Sequence, residues 1–142
     1  MILSYPGGGL INVSSAEQTF NAECTVDEAI GNVVYIYGTK IGSLYRVRNA
    51  DIDDISKMPA VGIVVRKPSS TECVVQVSGI AKSVLTGLTP NSYLFADTGS
   101  SLTQIRPSNP ISGIRFIQIV AQAISDTDIL VRFFSPVKLV ST

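Results

Sequence analysis

The chain contains no histidine among its 142 residues. This absence removes the commonest general base, the Ser-His and Cys-His nucleophile pairs and most zinc sites. No G-x-S-x-G elbow is present, and the stretch PGGGL at 6–10 lacks the Lys-Ser/Thr pair of a phosphate-binding loop. No spacing singles out a glycosidase-like carboxylate pair. We therefore predict no catalytic residue, no cofactor and no metal ligand, and we do not expect an enzyme.

An excess of positive charge is missing too. Lys and Arg number 11, Asp and Glu number 11, and the formal net charge is zero. Nucleic-acid binding requires a basic surface that neutralises phosphates, and this sequence has no run of Lys and Arg to form one. We therefore expect no nucleic-acid partner.

Long apolar runs and a cysteine framework are also lacking. No stretch approaches the roughly 20 apolar residues of a membrane span, and the N-terminus has no basic segment typical of a signal peptide. We expect no membrane partner. The two cysteines, Cys24 and Cys73, lie far apart in the sequence and do not form a disulfide framework. Cys73 stands in the apolar run CVVQV and is predicted to be a small buried residue.

The residues that are present predict one folded domain. Hydrophobic residues make up 45% of the chain and charged residues 15%, so a chain of this length can bury a core without disulfides or metal. The low charge suggests that part of the surface is covered in an oligomer or an assembly. We predict an extended N-terminal arm over residues 1–22 and a single β domain over 23–142.

Strand signals dominate after Gly31. NVVYIY, LYRVR, AVGIVVR and CVVQV are β-branched, aromatic or alternating, and the turn KPSSTE predicts a hairpin between the last two. Helix-start patterns occur only in SSAE (14–17) and TVDE (25–28), and neither is followed by a long helical pattern. The sequence therefore predicts an all-β fold.

The chain contains an internal repeat. YIYGTKIGSLYRVR at 35–48 matches YLFADTGSSLTQIR at 93–106 with an offset of 58, and VGIVVRKPSSTECVVQV at 61–77 matches IQIVAQAISDTDILVRF at 117–133 with an offset of 56. Each copy predicts four strands with an S-x-T turn before the last. Because one such unit cannot bury its own apolar face, we predict a small β-barrel or sandwich built from two copies, at about 31–79 and 90–135.

Several residues in the repeat and in one tight turn have a predicted environment. Arg48 and Arg106 end equivalent strands, and solvated strand ends are the favoured interpretation. Tyr35 and Tyr93 are predicted to be core or rim aromatics. Asp126 and Asp128, in the tight turn SDTD, are predicted to hydrogen-bond backbone.

One acidic stretch, NADIDDIS, resembles the start of a calcium loop. Asn49, Asp51 and Asp53 alternate as EF-hand ligands do, but position six is Asp54 rather than Gly and position twelve is Ala60 rather than Glu. The pattern fails as an EF-hand. A loose surface calcium site stays open as an alternative, and a solvated loop between strands is the favoured interpretation.

Five stretches resemble the small virion proteins of tailed bacteriophages: GNVVY (31–35), AVGI (60–63), VQVSG (75–79), GLTPNSYL (87–94) and DTGSSLT (97–103). The resemblance implies a capsid cement or decoration protein similar to the lambda type, a compact β-barrel that forms a homotrimer on the outside of the head. Its implied partners are the major capsid protein and other copies of itself, in a virion assembled in the host cytoplasm.

The same resemblance leaves a second role open. It is also compatible with a head or tail fibre or spike module, in which the loops DIDDISK (51–57) and RPSNPISG (106–113) contact a host receptor. We favour cement because the chain has no collagen-like, heptad or repeated shaft. On that hypothesis the arm over 1–22 adds a strand to a capsid sheet, and deletion of residues 1–20 is expected to weaken attachment without unfolding the barrel.

Overall fold

The computed structural model describes residues 17–141, and these are almost entirely β, as the sequence predicts. The other regular elements are two short 3-10 turns, Ile55–Lys57 and Thr98–Ser100. No helix in the described range is long and apolar enough to span a membrane. The strands in chain order are β1 (Gln18–Glu23), β2 (Val33–Ile36), β3 (Tyr45–Asn49), β4 (Gly62–Arg66), β5 (Glu72–Ala81), β6 (Tyr93–Ala96), β7 (Leu102–Thr103), β8 (Ile114–Ile117), β9 (Ile119–Ala123), β10 (Ile129–Arg132) and β11 (Val137–Val140).

Five strands close a β-barrel in the order β1-β3-β2-β4-β5. The strand that closes it is β1, which pairs antiparallel with β5 and parallel with β3. Ala22 illustrates the closure, because it stands opposite Cys73 of β5 on one side and Tyr45 of β3 on the other. The predicted barrel is therefore confirmed, and its last seam is the short parallel pairing of β1 with β3.

The strand order of the first repeat recurs in mirror image in the second. The sheet runs β3-β2-β4-β5 and continues β10-β9-β6-β7. In the sequence repeat, β2 corresponds to β6, β3 to β7, β4 to β9 and β5 to β10. These corresponding strands occupy equivalent places in the two halves of the sheet. This shared order supports the predicted duplication. We call the first set of strands, closed by β1, the closed unit, and β10-β9-β6-β7 the open unit.

The two S-x-T turns make the same hydrogen bonds in both units. Ser69 Oγ accepts from the amides two and three residues further on, at 3.3 and 3.1 Å. Ser125 Oγ accepts from the corresponding amides at 3.1 and 2.9 Å. Each hydroxyl thus fixes the turn of a hairpin, β4–β5 in one unit and β9–β10 in the other.

Two buried clusters make up the core. The smaller fills the barrel and consists of Ala22, Cys24, Val34, Val47, Val64, Cys73 and Val75. The larger lies between the units and includes Val33 and Ile63 from the closed unit with Leu94 and Ile129 from the open unit. Val33 and its neighbour Val34 are both fully buried, in different clusters, because successive side chains of a strand point to opposite faces. The open unit therefore completes its core with the outer face of the barrel.

A buried glutamine joins the two units. The side-chain amide of Gln118 accepts a hydrogen bond from the Ala60 amide and donates one to the Ala60 carbonyl, both at 3.0 Å, and donates another to the Phe134 carbonyl at 2.8 Å. The Gln118 side chain thus makes both of the backbone hydrogen bonds that a neighbouring strand would make to Ala60, a residue shortly before β4. A buried amide with its partners satisfied in this way fixes the relative position of the segments that it links.

The boundary of the predicted N-terminal arm needs correction. The sequence assigned residues 1–22 to an arm, but residues 18–22 belong to β1, because their backbone completes the barrel between β3 and β5. A deletion of residues 1–20 would therefore remove half of a barrel strand and should destabilise the barrel. Residues 1–16 of the predicted arm lie outside the described residues, as does the SSAE pattern up to residue 16.

The TVDE pattern at 25–28 forms a turn and does not begin a helix. The Glu28 carboxylate accepts from the Thr25 amide and hydroxyl, both at 2.7 Å, and from the Asn49 amide at 3.1 Å. The pattern predicted a capping box, and the structure uses it as an isolated turn that ties the end of β1 to β3.

The connection between the repeats is held against the β9–β10 turn. Asp128 accepts from the Ser83 amide at 2.9 Å, which with the Thr127 hydroxyl lowers the pKa of its carboxyl. The Leu88 amide donates to the Asp126 carbonyl at 3.0 Å, and the Leu88 side chain is buried in the larger cluster. The predicted role of Asp128 in backbone hydrogen bonding is confirmed.

We expect Glu23→Gln to destabilise the fold by about 1 kcal/mol. Glu23 of β1 pairs with Arg46 at 3.2 Å and with Arg48 at 2.8 Å, both on β3, and all three side chains are about three-quarters buried. The substitution keeps the shape of the side chain but removes the negative charge that faces the two arginines across the β1–β3 pairing. Urea unfolding measures the change, and Glu17→Gln, which alters an exposed side chain just before β1, is the matched control.

The difference between wild type and Glu23→Gln should depend on pH. Hydrogen bonding to Arg48 holds the pKa of the Glu23 carboxyl below its usual value of 4.5. A lowered folded-state pKa stabilises the protein above the unfolded-state value, and this contribution is lost as the pH falls through the folded-state pKa. Unfolding free energies should therefore differ most at neutral pH and converge in acid. A difference that grows below pH 4.5 would contradict this account.

Candidate functional site

Two loops that are distant in the sequence lie side by side on the surface. The first, residues 51–58, lies within the connection between β3 and β4, and the second, residues 104–113, joins β7 to β8. Asp53 of the first loop forms an ion pair with Arg115, which stands just after the second. We call these two segments together the loop surface. They contain the two loops that the sequence assigned to receptor contact in the fibre alternative.

Arg115 fixes the geometry of the loop surface. Its Nε and Nη2 donate to the two carboxylate oxygens of Asp53 at 2.7 and 3.1 Å, and its Nη1 donates to the Ser108 carbonyl at 3.2 Å. The Phe116 amide donates to the Ile52 carbonyl at 2.7 Å alongside this pair. The bond to Asp53 is the main reason why the pKa of Arg115 is raised. Two-pronged pairing of this kind specifies orientation as well as attraction, so one side chain holds both loops in place.

The loop surface exposes large apolar side chains. Ile55, Ile105 and Ile111 are 60%, 79% and 100% exposed. A hollow of about 560 Å³ lies beside Ile111, between Asp53 and the 108–115 segment. Isoleucine is among the residues most often buried, and Ile111 stands fully exposed beside this hollow. The chemistry available here is shape and apolar contact.

The acids of the calcium-like stretch serve the loop itself. The Asp51 carboxylate accepts from the Asp53 amide, and the Asp54 carboxylate accepts from the Ser56 amide and hydroxyl. Asn49 bonds instead to Asn32 and to the Asp27 carbonyl. Within residues 17–141, no group of three or more His, Cys, Asp or Glu side chains could hold a metal ion. These contacts within the loop agree with the favoured interpretation of NADIDDIS as a solvated loop between strands.

Arg48 and Arg106, equivalent in the repeat, have different environments. Arg48 is bound to Glu23 and lies over the Tyr37 ring, 4.5 Å from its centroid. The prediction of a solvated strand end is therefore wrong for Arg48. Its carboxylate partner comes from β1, and the sequence alone does not show that β1 lies beside β3. Arg106 is exposed, lies beyond β7, and bonds to the Pro107 carbonyl at 3.2 Å.

A second feature is a cleft at the end of β2 and β3. Its volume is about 410 Å³, and Tyr35, Tyr37, Arg48 and Lys57 are among its lining residues. The rings of Tyr35 and Tyr37 meet edge to face, with centroids 6.4 Å apart, and Tyr37 is 40% exposed. Tyr35 is thus a rim aromatic, as is its counterpart Tyr93, which contacts Phe134 edge to face.

Both cysteines are free thiols inside the barrel, each 1% exposed. Burial, with the nearby Cys24 thiol as the next cause, raises the pKa of Cys73 to about 12. The prediction that Cys73 is a small buried residue is confirmed. A thiol with so high a pKa carries almost no thiolate at neutral pH, so neither the charge nor the exposure of a reactive cysteine is present.

No protein-family model matches the chain, and no curated protein matches it. The case for a function therefore depends on the residues and their geometry.

We expect Asp53→Asn to loosen the loop surface while leaving the barrel intact. The substitution weakens both hydrogen bonds to Arg115, so amides of residues 106–113 should exchange with solvent faster, by about threefold to tenfold, with global stability lowered by less than about 1 kcal/mol. Hydrogen exchange with mass spectrometry measures this. Asp126→Asn, in the β9–β10 turn, is the control of equal charge. Unchanged exchange in Asp53→Asn would show that the ion pair does not position the loop.

We expect both native thiols to resist a disulfide reagent at pH 8 until the protein unfolds. Each is buried, and the raised pKa of Cys73 suppresses the thiolate that reacts. The variant Ser101→Cys, which places a thiol at an exposed position, should react at once and serves as the positive control. Rapid labelling of a native thiol in the folded wild type would contradict the burial described above.

Proposed function

We propose that this chain is a structural protein of a tailed-bacteriophage particle, which binds the outside of the head and stabilises the capsid as cement. The loop surface carries the proposal: two loops held by one ion pair present Ile55 and Ile111 to solvent. A capsid contact would cover these side chains and gain the free energy of removing them from water. The resemblance of the five stretches quoted above to small virion proteins supports the same role.

The resembling stretches are mainly strands of the fold. GNVVY leads into β2, AVGI into β4, and VQVSG lies within β5. GLTPNSYL contains Leu88 and Leu94, both buried in the core between the units. The resemblance therefore concerns the barrel and its second unit, and the contact surface is a separate feature made by loops. In this proposal the copies assemble as a homotrimer on the capsid, where many weak contacts on a symmetric shell combine.

A fibre or spike module that contacts a host receptor is the second candidate. The cleft lined by Tyr35, Tyr37 and Lys57 favours it, because partly exposed aromatic rings beside polar and charged groups suit a polar ligand with apolar faces, such as a carbohydrate. In this alternative the cleft, rather than the loop surface, makes the functional contact.

Binding to purified phage heads that lack the protein tests the proposal. Ile55→Asp and Ile111→Asp should each lower the affinity in a co-sedimentation assay by about tenfold or more, because each places a charge in an apolar contact. Ile41→Asp, at a 52% exposed position in the β2–β3 turn, should bind as wild type does. Equal affinity of all four proteins would reject the loop surface, and loss of cell attachment in Tyr37→Ala with head binding unchanged would favour the fibre candidate.

A further inference from the structure

A pocket lies between the barrel and the connection between the repeats. Its apolar walls come from Val64 and Val65 of β4, Ala81 at the end of β5, and Val84 of the connection, and its volume is about 290 Å³. Hollows with mostly apolar walls and a few polar groups are the usual places for small ligands, in volumes of roughly 300–1,000 Å³. We call this hollow the connection pocket. It shares no lining residue with the hollow of the loop surface or with the aromatic cleft.

Hydrogen bonds hold the wall formed by the connection in place. The Ser83 amide donates to the Asp128 carboxylate at 2.9 Å, and the Val84 amide donates to the Thr127 carbonyl at 3.1 Å, both in the β9–β10 turn. The φ angle of Ser83 is 57°, in the left-handed region that few residues other than glycine adopt. The wall is thus fixed before any ligand binds, and a preformed site loses little conformational entropy on binding.

A buried glutamine supplies a polar group inside the pocket. Gln76 of β5 lines the pocket and is 1% exposed. Its Nε2 donates to the Ser78 carbonyl at 3.0 Å, and because a carbonyl can only accept, this bond fixes which end of the amide is the oxygen. Within residues 17–141 no group donates a hydrogen bond to that oxygen, Oε1. Every fully buried side-chain nitrogen and oxygen of the described residues has a partner, so Oε1 is open to the pocket. It is a free acceptor on a side chain that is otherwise buried.

The rim of the pocket carries an excess of positive charge. Arg66 and Lys82 line it and are exposed, and Glu17 is the single acid among its lining residues, so two cations against one carboxylate leave a net charge of +1. The ion pairs among residues 17–141 use other cations. Asp128, outside the lining, lies close to Lys82, but the pKa of its carboxyl is lowered chiefly by the Ser83 amide and least by Lys82. The two cations are therefore available to an anion in the pocket.

We propose that the connection pocket binds a small organic anion that also carries a hydroxyl group, a hydroxycarboxylate in the simplest case. The carboxylate pairs with Arg66 and Lys82, the hydroxyl donates to Oε1 of Gln76, and the short carbon chain packs between Val65 and Val84. A neutral ligand leaves the two cations without a partner, and an anion without a hydroxyl leaves Oε1 unpaired. This inference concerns a surface that the proposed capsid contact does not use, and it does not depend on that role.

Three small molecules that share a four-carbon chain test this ligand class on the full-length protein. The probe 3-hydroxybutyrate carries both groups, butyrate lacks the hydroxyl, and 1,3-butanediol lacks the carboxylate. In an NMR titration, 3-hydroxybutyrate should shift the Gln76 side-chain amide and the backbone amides of residues 82–84 with a Kd of about 1–10 mM. Butyrate and 1,3-butanediol should bind at least about fivefold more weakly, because each loses one polar contact.

Variants of the lining residues assign the contacts. Arg66→Gln and Lys82→Gln should each weaken binding of 3-hydroxybutyrate by at least about threefold, because each removes one of the two cations. Lys138→Gln, which removes an exposed cation of β11 outside the pocket lining, is the matched control and should bind as wild type does. Gln76→Leu should bind 3-hydroxybutyrate and butyrate equally, since it has no acceptor for the hydroxyl. If Gln76→Leu does not fold, the comparison of the same two molecules in wild type makes the same distinction.

Any one of three results would overturn the proposal. The first is no saturable shift at Gln76 and residues 82–84 up to about 50 mM 3-hydroxybutyrate. The second is equal affinity for all three molecules, which would show an unselective apolar hollow. The third is unchanged affinity in both Arg66→Gln and Lys82→Gln, which would place the anion elsewhere. Selective binding of 3-hydroxybutyrate that weakens in both variants and not in Lys138→Gln is the expected result.

Discussion

The pairing of β1 with both β3 and β5 is the constraint on which the rest of the structure depends. It turns an open sheet into a barrel, encloses Cys24 and Cys73, and brings Glu23 between Arg46 and Arg48. Because the outer face of the barrel supplies Val33 and Ile63 to the second core, the open unit depends on the same closure. The parallel pairing with β3 is short, and the charges across it compensate for its few backbone hydrogen bonds.

The two units share one strand order but have different surroundings. Arg48 acquires a carboxylate partner and Arg106 bonds to nearby backbone, while Val47 is buried and Ile105 is exposed. After β7 the second copy departs from the pattern of the first: its chain forms the 104–113 loop, which Arg115 fastens to Asp53, and the β8–β11 pair. The surface that we propose as a contact site therefore arises where the repeat is broken, and the repeated strands serve as its support.

Local patterns predicted what depends on neighbours in the sequence. The alternating strands, the two Ser-fixed turns, the buried Cys73 and the role of Asp128 all follow from residue types within a few positions of one another. The sequence did not predict that residues 18–22 close the barrel, because QTFNAE is weakly patterned and its partners lie 23 residues away in β3 and 49 to 60 residues away in β5. The ion pair of Asp53 with Arg115 was missed for the same reason: either residue alone is an ordinary charge on a loop, and only the fold brings them together.

The copy number of the chain in purified phage particles, measured by quantitative mass spectrometry against the major capsid protein, tests the proposed role most directly. A cement protein covers the shell, so the account predicts a ratio near one to one or a simple fraction of it. A handful of copies per particle would indicate a fibre, spike or tail component, and the aromatic cleft would then become the leading contact site. Absence from the particle would contradict a structural role in the virion.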